Sequence, residues 1–258
     1  MVDRIDFFMR CPFIILFLLI SLRIAAQPAP DRIPYYPGEK MDYLLHMGFL
    51  SLGKATIAFD ADSVNCGSFI RVDARSTGIG KLIKNIRYDF GSCIDQETGL
   101  PYIATRTVLE GERHHESEVY YYHDIRPDSS IVYSQEIDSL IVKKNIYDIL
   151  SAFYFFRTNY ATKSMDHQGK VTLTTFFIDE VWDLTIRYDG TETIKTLFGE
   201  MDCLRFMPVT EVGPYFRDTD DMVIWVTNDK QKIPVKIYVD LKVGSITADL
   251  KHYVSPRF

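Results

Sequence analysis

Long apolar runs, basic blocks and closely spaced cysteines are all missing from this chain, and each absence removes a class of protein. The longest apolar run, Pro12–Leu22, holds 11 residues with Ser21 counted in, whereas a helix needs about 20 to cross the hydrocarbon core. No Lys/Arg block occurs and the formal net charge is −6, which argues against a binder of phosphate backbones, whose surface must be concentrated in positive charge. The four cysteines show no C-x-x-C spacing and no histidine set in a zinc pattern. There is no G-x-S-x-G elbow, no P-loop and no dinucleotide fingerprint. No cofactor and no catalytic residue is therefore expected.

What is present begins at the N-terminus. Arg4 and Arg10 precede the apolar run, Arg23 ends it, and Ala25-Ala26-Gln27 follow. A positive start, a short apolar stretch and small residues at the cut define a secretory signal. Residues 1–26 are read as that signal, cleaved between Ala26 and Gln27. Cys11 lies before the apolar run, away from the cut, so lipid attachment to a mature N-terminal cysteine is not expected. Cleavage removes Arg4, Arg10, Arg23, Asp3 and Asp6, leaving the remainder one unit more negative. Residues 27–37 are rich in proline, which disfavours helix and central strand alike; they are expected to be an extended lead. Cys66, Cys93 and Cys203 remain. In an oxidising compartment one pair can bridge; equally, all three can be small buried hydrophobes. Spacing does not choose between these.

From residue 38 to 254 the pattern is period-two alternation. Tyr43, Leu45, Met47 and Phe49 fall on one strand face, and Ala55, Ile57 and Phe59 on another. Trp182, Leu184, Ile186 and Tyr188 alternate with Asp183, Thr185 and Arg187, as Val235, Ile237, Val239 and Leu241 do with Lys236, Tyr238 and Asp240. Such alternation marks strands with one buried and one wet face. Leu52-Gly53, Cys66-Gly67, Thr98-Gly99, Asp189-Gly190, Gly199-Glu200 and Asn228-Asp229 read as turns between them. Val243-Gly244-Ser245 reads as a bend or bulge. The expectation is a mainly β, single-domain antiparallel curled sheet or incomplete β-barrel of roughly a dozen strands. One segment departs from it. Ile146, Ile149, Leu150, Phe153 and Phe156 recur at helical spacing, with Asn145 as N-cap and Asp148 in the first turn; an aromatic-rich amphipathic helix is expected over about 146–158. GIGKLIKNI at 78–86 predicts one or two further helical turns.

PGEKMDY at 37–43, LGKAT at 52–56, YDILSAFYFFRTN at 147–159 and IWVTNDKQKIPVKIYVDLKVGSITADL at 224–250 together resemble domain of unknown function family 3108. The resemblance covers about residues 35–250. It implies an exported β protein of Gram-negative bacteria, in the periplasm or cell envelope, and carries no catalytic residue with it.

His114 shares a strand face with Glu112, Glu116 and Glu118, and His115 and His123 share the other; those two stand about 27 Å apart along a strand at about 3.3 Å per residue. A wet acidic face is the reading, with no metal. Asp179/Glu180 and Asp220/Asp221 are adjacent carboxylates, ordinary in turns. Ser151 has no local base. The aromatic content, 14%, is core filling first. Its sharper use is a cavity: a curled sheet with an aromatic helix across it suits an apolar ligand. Phe153, Tyr154, Phe156, Trp182 and Trp225 are the residues expected to line it. The functional expectation is non-enzymatic binding of a lipid-like amphiphile. The alternatives are binding or hydrolysis of envelope polysaccharide through surface aromatics and an acidic pair, and a structural partner of an outer-membrane complex.

Overall fold

A computed structural model describes residues 37–63, 66–159, 169–209, 218–242 and 244–256. The expected signal, its cut at Ala26 and Gln27, and nearly all of the lead lie outside these. The first half carries β1 (Lys40–Met47), β2 (Leu50–Ser63), β3 (Gly67–Ser76), α1 (Gly78–Ile83), β4 (Ile86–Ile94), β5 (Pro101–Glu110), β6 (Arg113–Tyr122), β7 (Ser129–Ser134) and β8 (Asp138–Lys143). The second carries α2 (Ile149–Asn159), β9 (Lys170–Phe177), β10 (Glu180–Thr196), β11 (Gly199–Pro208), β12 (Met222–Thr227), β13 (Pro234–Leu241) and β14 (Gly244–Val254).

The fourteen strands make one antiparallel sheet in the order β8-β7-β6-β5-β4-β3-β2-β1-β14-β13-β12-β11-β10-β9. Strands consecutive in the chain pair with each other, apart from β8 and β9, and β1 also pairs with β14 (Tyr43 opposite Leu250). The curled sheet predicted by the alternation is therefore present, with two strands more than the dozen expected. Its two outer strands, β8 and β9, are consecutive in the chain. Between them Tyr147 donates its N–H to Thr174 O at 3.0 Å and accepts from Phe176 N–H at 2.8 Å. That bridge nearly closes the sheet into a barrel and satisfies a stretch of backbone that an open edge would leave exposed.

The same bridge moves the start of the helix. Ile146 and Tyr147 are held extended, so α2 begins at Ile149 and not at Ile146. Asn145, expected as the N-cap, sits instead in a left-handed turn at φ 61°. The cap is Asp148: its Oδ1 accepts from Leu150 N–H at 2.8 Å and Ser151 N–H at 3.2 Å, while Asp148 N–H donates to Ser151 Oγ at 3.0 Å. This reciprocal arrangement is a capping box with Ser151 in the third position. The helix is also less amphipathic than its spacing suggests. Ser151, Ala152, Tyr154, Phe156, Arg157 and Thr158 are all buried, because strands from distant parts of the sheet enclose it. Ala152 and Phe156 pack with Leu100, Tyr147, Val171, Leu173, Leu184, Ile186, Phe206 and Val226; Tyr154 packs on Phe59 of β2 with ring centroids 5.3 Å apart. A second cluster joins Tyr121, Val132, Val142, Ile146 and Phe176.

Several expected turns lie elsewhere. Leu52-Gly53 is inside β2, where a Cβ on Gly53 would meet Arg75 O at 2.5 Å; the glycine serves a close backbone approach. Phe49 leaves the strand face because Gly48 and Phe49 themselves form the β1–β2 turn, with Met47 opposite Leu50. Asp189-Gly190 is a bulge within β10, where the register shifts between Tyr188 and Thr191. Gly244 closes the β13–β14 hairpin opposite Leu241 and does not divide it; Val243 lies outside the described residues. Ile178 and Asp179, both at positive φ, make the β9–β10 turn.

Candidate functional site

The residues expected to gather around a cavity are only partly brought together. Phe153 and Phe156 line an apolar void with Ile186, Phe206, Ile224 and Val226, of about 30 Å³. Phe156 meets Phe206 edge-on at 5.1 Å. Trp182 packs half-buried against the same core. Tyr154 faces another way, towards Phe59 and a polar centre described below. Trp225 lies on the opposite face of the sheet, its Nε1 donating to Glu192 Oε2 at 2.9 Å. Alternation along β12 accounts for this: Ile224 and Val226 point inward and Trp225 between them points out.

The polar centre was not legible in the sequence. Glu39 and Arg157 are both buried, and Arg157 donates Nη1 to Oε2 at 2.6 Å and Nη2 to Oε1 at 2.7 Å. Arg157 also donates Nε to Lys232 O at 2.8 Å and Nη2 to Gln231 O at 2.8 Å. Tyr154 and Tyr253 donate their hydroxyls to Glu39 at 3.2 and 3.0 Å. Burial foremost, with the Glu39 charge, holds the Tyr154 hydroxyl well above its ordinary value, so it stays a donor. Buried charges persist only when paired and hydrogen-bonded. This set ties the helix to the first strand, the last strand and the β12–β13 turn.

A second void, of about 50 Å³ and open towards the β9–β10 turn, is lined by Phe90, Ala104, Arg106, Ser117, Val119, Tyr121, Asp148, Ile149, Leu150, Phe176 and Asp179, among others. Ser92 Oγ donates to Asp148 Oδ2 at 2.6 Å. Burial raises the Asp148 carboxyl above the usual carboxylate range, against the hydrogen bonds from Ser92 and Ser151. Arg106 Nε is buried without a hydrogen-bond partner. The sequence held a signal for this residue: Arg106 interrupts the face shared by Ala104 and Val108.

A further, roomier space lies on the other face of β5, β6 and β7. A groove of about 560 Å³ is lined by Thr105, Arg106, Thr107, Glu116, Ser117, Glu118, Tyr120, Tyr122, Tyr133, Gln135 and Glu136. Cross-strand register places them: Thr105 opposes Glu118, Thr107 opposes Glu116, and Tyr120 opposes Tyr133. Tyr120 and Tyr133 stand 6.2 Å apart, tilted. Tyr120 donates its hydroxyl to Glu118 Oε2 at 2.9 Å. His114 Nε2 lies 3.2 Å from Glu116, and His115 Nε2 3.9 Å from Glu136. Among the described residues no three metal-ligating side chains converge. His123 turns into the core, where Nε2 lies 2.9 Å from Pro101 O and Nδ1 3.0 Å from Ser130 Oγ.

The expected thiol chemistry resolves into a pair. Cys66 and Cys93 form a disulfide with Cα atoms 5.6 Å apart, between the start of β3 and the end of β4. Cys203 is a free, buried thiol, pushed up to about 11, chiefly by burial.

A family model described as "Protein of unknown function (DUF3108)" matches residues 42–251. The chain belongs to the DUF3108 family. No curated protein matches it. Among solved structures, this DUF3108 chain is similar to a β-barrel-like protein of domain of unknown function DUF1849 from Brucella abortus, at TM-score 0.57 and 11% identity, over 88% of this chain and 100% of that one. A hypothetical protein, CT021, from Chlamydia trachomatis aligns at TM-score 0.33 and 8% identity, over 85% and 87% of the two chains. The Brucella structure bears on the fold alone, and the DUF3108 sheet is barrel-like in the same sense. No helix among the described residues is long and apolar enough to cross a membrane.

Proposed function

We propose that this protein is an exported cell-envelope protein that binds a saccharide or similar polyol, without chemical conversion, in the groove on β5–β7. The observation that carries the reading is the groove's size and lining. Its volume of about 560 Å³ lies in the usual range for small-molecule sites, about 300–1,000 Å³. The two pockets beside the helix, at about 30 and 50 Å³, are far smaller. Tyr faces stack on the C–H surfaces of sugar rings, and carboxylates accept from hydroxyl groups. Binding is preferred to hydrolysis because the side chains of Glu116 and Glu136 are 67% and 33% exposed, whereas a general acid needs its carboxyl kept protonated by burial. The secretory pattern at the N-terminus and the Cys66–Cys93 disulfide support an oxidising location. A glycan array of peptidoglycan fragments and lipopolysaccharide oligosaccharides, read with wild-type protein and Tyr133→Ala, tests this. Binding is expected to at least one class, weakened about tenfold in the variant by loss of one stacking face. Silence across the array overturns it.

The lipid-like ligand keeps one specific support. Arg106 brings an Nε–H without a hydrogen-bond partner to a void walled by Phe90, Ala104, Val119, Tyr121 and Phe176 together with Asp148 and Asp179, and an anionic headgroup would supply the acceptor that this N–H lacks. Solvent extraction of the purified protein followed by mass spectrometry decides: recovery of an amphiphile from wild type but not from Arg106→Leu supports this second reading, and no recovery from wild type ends it.

A further inference from the structure

Phe49, Leu82 and Ile83 have the highest exposures of the large apolar side chains described, at 95, 87 and 72%, and all belong to one end of the barrel. Phe49 tips the β1–β2 turn. The short helix α1 lies against β2 only three residues further on: Thr77 N–H donates to Leu52 O at 2.9 Å, and a Cβ on Gly80 would stand 1.9 Å from that same oxygen. Gly80 thus presses one side of α1 onto the sheet. Ile79, Leu82 and Ile83, spaced i, i+3 and i+4, share the side turned to solvent. Monomeric proteins rarely gather so many protruding apolar side chains at one end without a partner.

Basic side chains border it. Lys81 is on α1 and Lys84 caps its C-terminal end. Lys54, Arg75 and Arg87 stand directly opposite one another across β2, β3 and β4. Like charges in register weaken a sheet, and here they gather on a protein whose net charge is −6. The acids nearby take only part of them: Arg87 lies 3.5 Å from Asp73 and Lys84 2.5 Å from Glu110, while Asp89 is engaged by Arg71. Among the described residues Lys54, Arg75 and Lys81 have no ion pair.

Protruding apolar side chains bordered by unpaired cations are the chemistry of attachment to an anionic lipid surface, apolar groups entering the headgroup boundary and cations meeting phosphate. We infer that this end of the barrel docks on anionic bilayers. The site is separate from the tyrosine groove, and neither reading depends on the other.

Co-sedimentation of the purified protein with vesicles tests it, using phosphatidylglycerol and phosphatidylcholine in equal parts against phosphatidylcholine alone. Binding is expected only with the anionic lipid and should weaken as salt rises. The variant Phe49→Ser/Leu82→Ser and, separately, Lys54→Glu/Lys81→Glu should each reduce the bound fraction at least about tenfold with unchanged circular dichroism. Both are surface changes, so the fold is retained. No sedimentation of wild type with anionic vesicles, or sedimentation indifferent to both variants, overturns the inference. So does a dimer in solution that Leu82→Ser converts to monomer without any vesicle binding, since the patch then meets a second copy.

Discussion

Arg157 of α2 and Glu39 just before β1 form a two-pronged ion pair in which the side chains are 2% and 0% exposed. The residues are 118 positions apart. The pair holds the enclosed helix to the strand at which the two meanders of the sheet join, so it should act on the whole barrel. Removing one partner leaves an uncompensated buried charge. Arg157→Met is expected to destabilise by about 3–5 kcal/mol, read from urea denaturation. Arg157→Met/Glu39→Gln should recover part of that loss. A double variant as unstable as the sum of the singles would show that the two do not act as a pair.

The disulfide between Cys66 and Cys93 spans 27 residues. Closing a loop of that length restricts the unfolded chain and stabilises by about 3.5 kcal/mol in the loop-entropy account. Cys66→Ala/Cys93→Ala should lose a stabilisation of that order under oxidising conditions and become insensitive to reductant. Cys203, buried and with its thiol raised, should resist thiol reagents in the native state and react after unfolding.

Stability should depend on pH through His123. Burial is the main cause lowering its folded value below the ordinary 6.5, so the unfolded chain binds more protons in the window just below 6.5. The stabilisation is present above that value and is lost as pH falls through the folded value. The neutral ring can donate Nε2–H to Pro101 O and accept the Ser130 hydroxyl at Nδ1, and a second proton removes the acceptor. The fall in unfolding free energy from neutral to mildly acidic pH should flatten in His123→Gln. Asp148 works in the opposite sense: its carboxyl is raised above 3.8, so its contribution is present below 3.8 and is lost as pH rises through the folded value.

Gly80 tests how α1 is seated. With Leu52 O 1.9 Å from where a Cβ would be, Gly80→Ala must push the helix off β2. A local loss of about 1–3 kcal/mol is expected, seen as faster amide exchange over Gly78–Ile83 with little change in the rest of the barrel. Uniform protection across the chain would contradict this.

The sequence by itself determined the strands, because side-chain alternation is a local property with period two and one face of this sheet is buried. It also determined that a helix follows β8, because Phe153 and Phe156 recur at helical spacing. The Asx turn was equally local: Asp229 Oδ1 accepts from Gln231 N–H at 2.9 Å, as its position after Asn228 suggests. Tertiary structure decided what depended on partners distant in the chain. Asn145 has the chemistry of an N-cap, but Tyr147 is drawn into a bridge to β9 and the cap passes to Asp148. Gly53 and Gly190 have the chemistry of turns, but one meets a neighbouring backbone and the other makes a bulge. Phe153, Tyr154, Phe156, Trp182 and Trp225 look alike as aromatic residues, yet closure of the sheet directs them to three different surroundings. The partners of Arg157 arise from the seating of the helix inside the sheet, and the pairing of Cys66 with Cys93 and the groove of Tyr120, Tyr122 and Tyr133 from register between strands. Register is set by the sum of long-range contacts, and no window of sequence contains it.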